Sequence, residues 1–146
     1  MYSKKYSELK PKIKKIVDLT RKYREEDRTV KKETDYDDFN IEEIVNYKRN
    51  ISKTMESYIE LKDYILSLNM EEVMLLKTVM YIGREECGWN NRDINEKDID
   101  IVFEKHFSRQ GFSFDQEIDK EREMYLMLAK TPFHQYLENA LNKIAV

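Results

Sequence analysis

The chain has 146 residues, 40% of them hydrophobic and 38% charged, with a formal net charge of −3. Six phenylalanines, ten tyrosines and one tryptophan supply enough large apolar surface for one buried core, which argues against general disorder. Three glycines and two prolines leave little turn chemistry for β-hairpins, while Lys, Glu, Leu, Met and Ile favour helix. An all-α, single-domain bundle of about five to six helices is therefore expected over residues 1–146, with 1–10 and 27–39 as the segments open to flexibility.

The stretch Tyr2, Tyr6, Leu9, Ile13, Ile16, Thr20 and Tyr23 alternates spacings of four and three, one stripe of a first helix whose opposite face is rich in lysine. Pro11 is expected in the first turn of this helix, where a missing N–H is harmless, so Tyr2 to Leu9 would form a separate turn. Residues 27–38 show no sustained period and read as a loop. Asn40 with Glu43 has the spacing of a capping box and opens a second helix. Ile41, Ile44, Ile51, Met55, Tyr58 and Ile65 carry it to Leu68, about 27 residues or roughly 40 Å at the helical rise. Lys48 and Lys62 fall on its stripe.

Asn69 with Glu72 repeats the capping pair and starts a third helix through Val73, Leu76, Met80 and Gly83. It ends in "VMYIGREECGWNN" (79–91), where Gly83 is expected to allow close packing and Gly88 to take the left-handed position that stops a helix. The cluster reads as a structural corner, with Trp89 sealing it and Arg84 paired to a nearby carboxylate. Asn95 with Asp98 opens a fourth helix carrying Ile99, Val102, Phe103 and His106, which stops near Gly111. Ser113 with Gln116 is expected to cap a fifth, with Ile118, Tyr125, Leu128 and Ala129 inward. Thr131 as cap and Pro132 at the first helical position start the sixth, whose apolar face is Phe133, Tyr136, Leu137, Ala140, Leu141 and Ile144.

Over about residues 65–144, "YILSLNMEEVMLLKTVMYIGR" and "MYLMLAKTPFHQYLENAL" resemble an uncharacterised bacterial all-helical family, a domain of unknown function. The resemblance implies a helical fold and brings no activity with it.

The motifs of catalysis and metal binding are not legible. With two histidines, His106 and His134, no Glu-x-x-His pair exists for a di-iron bundle, and no local spacing supports zinc. The glycines Gly83, Gly88 and Gly111 lie too far apart to cradle a phosphate. Cys87, the single cysteine, cannot form an intramolecular disulfide and reads as an inert thiol of a reducing, cytoplasmic compartment. No apolar run is long enough to span a membrane. A protein that is not an enzyme and needs neither metal nor cofactor is expected.

Charge is unevenly distributed. Residues 1–32 hold 12 Lys/Arg against 5 Asp/Glu, whereas "ETDYDDFNIEE" (33–43) holds six carboxylates and no base, interleaved with Tyr36 and Phe39. Carboxylates steer a basic protein surface into contact while aromatic rings anchor it. The leading expectation is an immunity or antitoxin-type protein that neutralises a basic toxin, for example a nuclease, through Asp35, Tyr36, Asp37, Asp38, Phe39, Glu42 and Glu43. The alternative is a small-ligand protein or enzyme with a pocket around Arg84, Trp89 and His106, where arginine holds an anion and tryptophan stacks on a ring. A homo-oligomer built on the long second helix and the first stripe is a further alternative. Direct nucleic-acid binding by the lysine-rich face of the first helix is the poorer reading, because the net charge is negative.

Overall fold

The structure, a computed structural model, describes residues 1–33, 56–130 and 132–146, with residues 27–33 described by their backbone alone. Among the described residues six α-helices form one all-α bundle, with no strand. They are α1 (Tyr2–Glu33), α2 (Glu56–Ser67), α3 (Met70–Arg84), α4 (Ile99–Arg109), α5 (Lys120–Leu128) and α6 (Phe133–Lys143). None is long and apolar enough to cross a membrane. Asn40, Glu43, the first half of the expected long helix, the acidic segment beyond Glu33 and the Thr131 cap lie outside the described residues.

The central helix is α3, packed along α6, α4 and α5. Its start is the expected capping box: the Glu72 amide donates to Asn69 Oδ1 at 2.8 Å, and the Asn69 amide donates to Glu72 Oε1 at 3.1 Å. From Val73 to Gly83 nearly every residue is buried, and a helix apolar around its whole circumference belongs in a bundle interior. Two polar residues within this run are satisfied locally. Thr78 Oγ1 donates to the Met74 carbonyl at 2.8 Å, and Lys77 pairs with Glu123 of α5 at 2.6 Å.

The first helix departs from expectation. It runs unbroken from Tyr2 to Glu33 with Pro11 inside it, so Tyr2 to Leu9 form no separate turn and residues 27–33 form no loop. Tertiary packing outweighs the proline: Tyr2, Tyr6, Leu9, Ile13 and Ile16 are buried on one stripe, and Thr20 fills its place by donating to the Ile16 carbonyl at 2.7 Å. Pro11 stands on the exposed side of that stripe. The first turn is capped from another helix, where Asp100 of α4 accepts from the Tyr2 amide at 2.8 Å and the Tyr2 hydroxyl donates to Glu104 at 2.5 Å. The Tyr2 ring lies 5.6 Å from both Phe103 and Phe114.

Other boundaries shift for local reasons. In α2, Tyr58, Leu61 and Ile65 are buried, Lys62 reaches Glu121, and Lys120 Nζ closes the C-terminal end of the helix by donating to the Leu66 and Leu68 carbonyls at 2.7 and 2.9 Å. The Ser113–Gln116 pair forms a turn, with the Ser113 amide donating to Gln116 Oε1 at 3.0 Å. The helix starts six residues later, at Asp119, whose side chain accepts from the Arg122 amide. That displacement changes the buried face: Met124 and Met127 point inward, Ile118 and Leu128 are partly buried, and Tyr125 and Ala129 are exposed. The fourth helix is preceded by a short 3-10 turn, Glu96–Asp98, and Asn95 makes no side-chain capping bond. Its buried residues, Ile99, Val102, Phe103 and His106, are the expected ones, joined by Phe107. Pro132 sits one position before the first residue of α6 rather than in it, with extended backbone.

Candidate functional site

The site candidate grows out of the corner that ends α3. Past Arg84 the chain widens into one turn of π-helix, Glu85–Trp89. Such turns occur frequently where function needs a residue re-aimed. Two glycines make this one compatible with tight packing. A Cβ on Gly83 would lie 1.7 Å from the Tyr136 carbonyl oxygen of α6, and one on Gly88 would lie 2.9 Å from the Gly83 carbonyl oxygen. Gly88 is therefore needed for close approach, not for a left-handed stop. The left-handed residue of the corner is Asn91, at φ 47°. Asn139 of α6 donates to the Gly83 carbonyl at 3.2 Å, fixing the corner to that helix.

The π turn directs Glu86 and Cys87 inward and leaves Glu85 on the open side. Glu86 is 5% exposed and lies 3.1 Å from Nε2 of His106, itself 2% exposed. Lys105 and Arg92 lie 3.5 and 3.6 Å from the same carboxylate. Burial alone pushes the Glu86 carboxyl up, but the hydrogen bond to His106 and the charges of Lys105, His106 and Arg92 outweigh it and hold the group below the ordinary carboxylate range. Burial likewise pushes the Cys87 thiol up to about 11, which keeps it protonated and un-nucleophilic at neutral pH.

On the open side, α3 and α4 bound a cleft of about 340 Å³, lined by Lys77, Tyr81 and Arg84 of α3, Glu85 of the π turn, His106 and Arg109 of α4, and Gln110 at the end of α4. The Arg84 guanidinium is held between two rings, 4.8 Å from the centroids of both Tyr81 and Trp89. Glu85 is 3.0 Å from Arg109 and 3.6 Å from Arg84. Gln110 is oriented by its amide nitrogen, which donates to Thr78 Oγ1 at 3.0 Å and to the His106 carbonyl at 2.9 Å.

Of the residues singled out in the sequence, Arg84 and His106 thus line one cleft. Trp89 does not seal a corner: it is 70% exposed and borders the cleft only through Arg84. The expected carboxylate partner of Arg84 is its own neighbour, Glu85. Lys77, Tyr81, Glu85, Arg109 and Gln110 were not anticipated. Spacings of four in Lys77–Tyr81–Glu85 and of three and four in His106–Arg109–Gln110 place each set on one helical face, a signal that becomes informative only once the two helices are known to be neighbours. Among the described residues no group of His, Cys, Asp and Glu is arranged to hold a metal. The binding residues proposed from Asp35 to Glu43 lie outside the described residues.

A second, shallower groove of about 630 Å³ runs between α1 and α6 past Lys10, Lys14, Arg21 and Glu138. Its basic character is partly cancelled from within. Lys10 donates to the Val146 carbonyl, and Arg21 pairs with Glu138. Elsewhere on α1, Lys5 pairs with Glu71, Lys12 with Glu72 at 2.5 Å, and Lys22 with Glu60 at 3.2 Å.

Comparison of the chain with family models, with curated proteins and with solved structures gives no match.

Proposed function

We propose that the protein is a non-enzymatic, cytoplasmic binding domain of the immunity or antitoxin kind, which neutralises a basic protein partner through the acidic–aromatic segment 33–43. The observation that carries this reading is the segregation of charge. The segment holds six carboxylates and no base, so with a whole-chain charge of −3 the rest of the chain carries +3. On the lysine-rich face of α1, Lys5, Lys12, Arg21 and Lys22 pair with carboxylates of α3, α6 and α2. These four cations are matched by carboxylates of neighbouring helices, which weakens the nucleic-acid reading, and the negative excess is concentrated in eleven residues that include Tyr36 and Phe39. A nuclease or other basic toxin has the complementary surface: long-range attraction raises the association rate and the rings supply desolvated anchors. The homo-oligomer reading loses one of its two surfaces, because the α1 stripe is buried in the protein's own core.

The test uses the partner that co-purifies from the native cell, with both proteins then isolated. Replacing Asp35, Asp37 and Asp38 together by lysine is expected to slow association at least ~10-fold at low ionic strength and to flatten its dependence on salt. Unchanged association in low salt overturns the assignment of this segment.

A further inference from the structure

We infer that the cleft between α3 and α4 is a binding site for a small aromatic carboxylate, its charge held by Arg84 and Arg109 and its ring laid against Trp89. This site is independent of the acidic segment. Three features of the cleft point the same way.

The first is the state of Arg84. Two aromatic faces fix the plane of its guanidinium, which removes much of the rotamer entropy an arginine loses on gripping a ligand. Its Nε, buried, has no hydrogen-bond partner among the described residues, and its neighbour Glu85 stands at 3.6 Å, too far for a strong hydrogen bond and closer to Arg109. Leaving such a buried donor unsatisfied is costly. A carboxylate that accepts from Nε supplies the missing partner.

The second is charge. Lys77, Arg84 and Arg109 face Glu85 and, through Lys77, Glu123, which leaves a balance of one positive charge. One carboxylate neutralises it; a phosphate dianion overshoots. The third is shape. About 340 Å³ lies at the small end of ligand sites, and next to the cleft, reached through Arg84 on one of its faces, the single tryptophan of the chain stays 70% exposed, with a ring surface left for a stacking partner.

The same tryptophan is the reporter. Full-length protein titrated with benzoate is expected to show a saturable change in tryptophan emission, matched by heat in calorimetry, at concentrations below about 10 mM. Benzamide, the neutral isostere, and inorganic phosphate are expected to bind at least ~10-fold more weakly. Arg84→Gln should weaken benzoate binding ~10-fold or more; because that change also removes a stacked side chain, Arg109→Gln, at a more exposed position, provides the second variant, with circular dichroism confirming that both are folded. No saturable signal by either readout, benzamide or phosphate binding as well as benzoate, or unweakened binding in folded Arg84→Gln and Arg109→Gln proteins overturns the site.

Discussion

Glu86 shows how one buried side chain ties a helix end to its neighbour. Its carboxylate is surrounded by His106, Lys105 and Arg92, and against the upward push of burial the hydrogen bond to His106 and these neighbouring charges hold its titration below the ordinary value of 4.5. A carboxyl whose folded value is depressed stabilises the fold fully at pH above its unfolded value, and the contribution disappears as pH falls through the folded one. The native protein is therefore expected to lose stability steeply in acid, from about pH 4.5 downward. Glu86→Gln keeps the shape and one hydrogen bond but removes the charge, leaving His106 without its anionic partner. Its stability at neutral pH should fall by about 1–3 kcal/mol, and its acid limb should be shallower than that of the native chain. Denaturant midpoints followed from neutral pH to about pH 3 check both; parallel pH curves for the two proteins would show that Glu86 carries no such linkage.

At the scale of elements, the approach of α3 to α6 is set by a missing side chain. The Tyr136 carbonyl stands where a Cβ of residue 83 would be, and the Ala140 amide nitrogen would lie 3.3 Å from it. Both obstacles are backbone, so Gly83→Ala cannot be absorbed by turning a rotamer; the helices must separate or the π turn must rearrange. A loss of about 3 kcal/mol or more is expected in denaturant unfolding, against the roughly 0.5–1 kcal/mol gain that alanine brings to an unconstrained helix interior. A neutral or stabilising result would mean that the two helices do not meet at this residue. The close-packing role of Gly83 was legible in the sequence, because a lone glycine closing an apolar helical run has few other uses. So were the capping box of α3 and the apolar face of α6, whose signals are local. The π turn was not, because its wider ring is selected by what lies across it, and of the cleft only Arg84 and His106 were, because its halves are separated by more than twenty residues. The Ser113–Gln116 pair shows the limit of a local signal: the same two residues that cap a helix also close a turn.

For the whole molecule, α1 is the long helix that ties α2, α4 and α6 together beside the central α3. It packs against α2, α6 and α4, and its first turn is capped by Asp100 while Tyr2 sits among Phe103, Phe107 and Phe114. Composition and a proline at position 11 made residues 1–10 a candidate for flexibility; burial of Tyr2, Tyr6 and Leu9 to 3% exposure or less gives them a structural role instead. Each such side chain contributes roughly 1.5–3 kcal/mol on leaving water, and the three together approach the ~5–15 kcal/mol net stability of an ordinary domain. Removing residues 1–9 is therefore expected to abolish cooperative unfolding, leaving helical signal in the far ultraviolet with a broad, non-sigmoidal melt and exposed hydrophobic surface. A dispensable tail would behave differently, with the melting temperature shifted by only a degree or two and the transition still sharp. The triple variant Tyr2→Ala, Tyr6→Ala, Leu9→Ala separates the two causes of such a collapse. It retains the peptide backbone, and so the Asp100 cap, while deleting the buried apolar groups, and it should fail nearly as completely if packing, rather than the cap, holds α1 to the bundle.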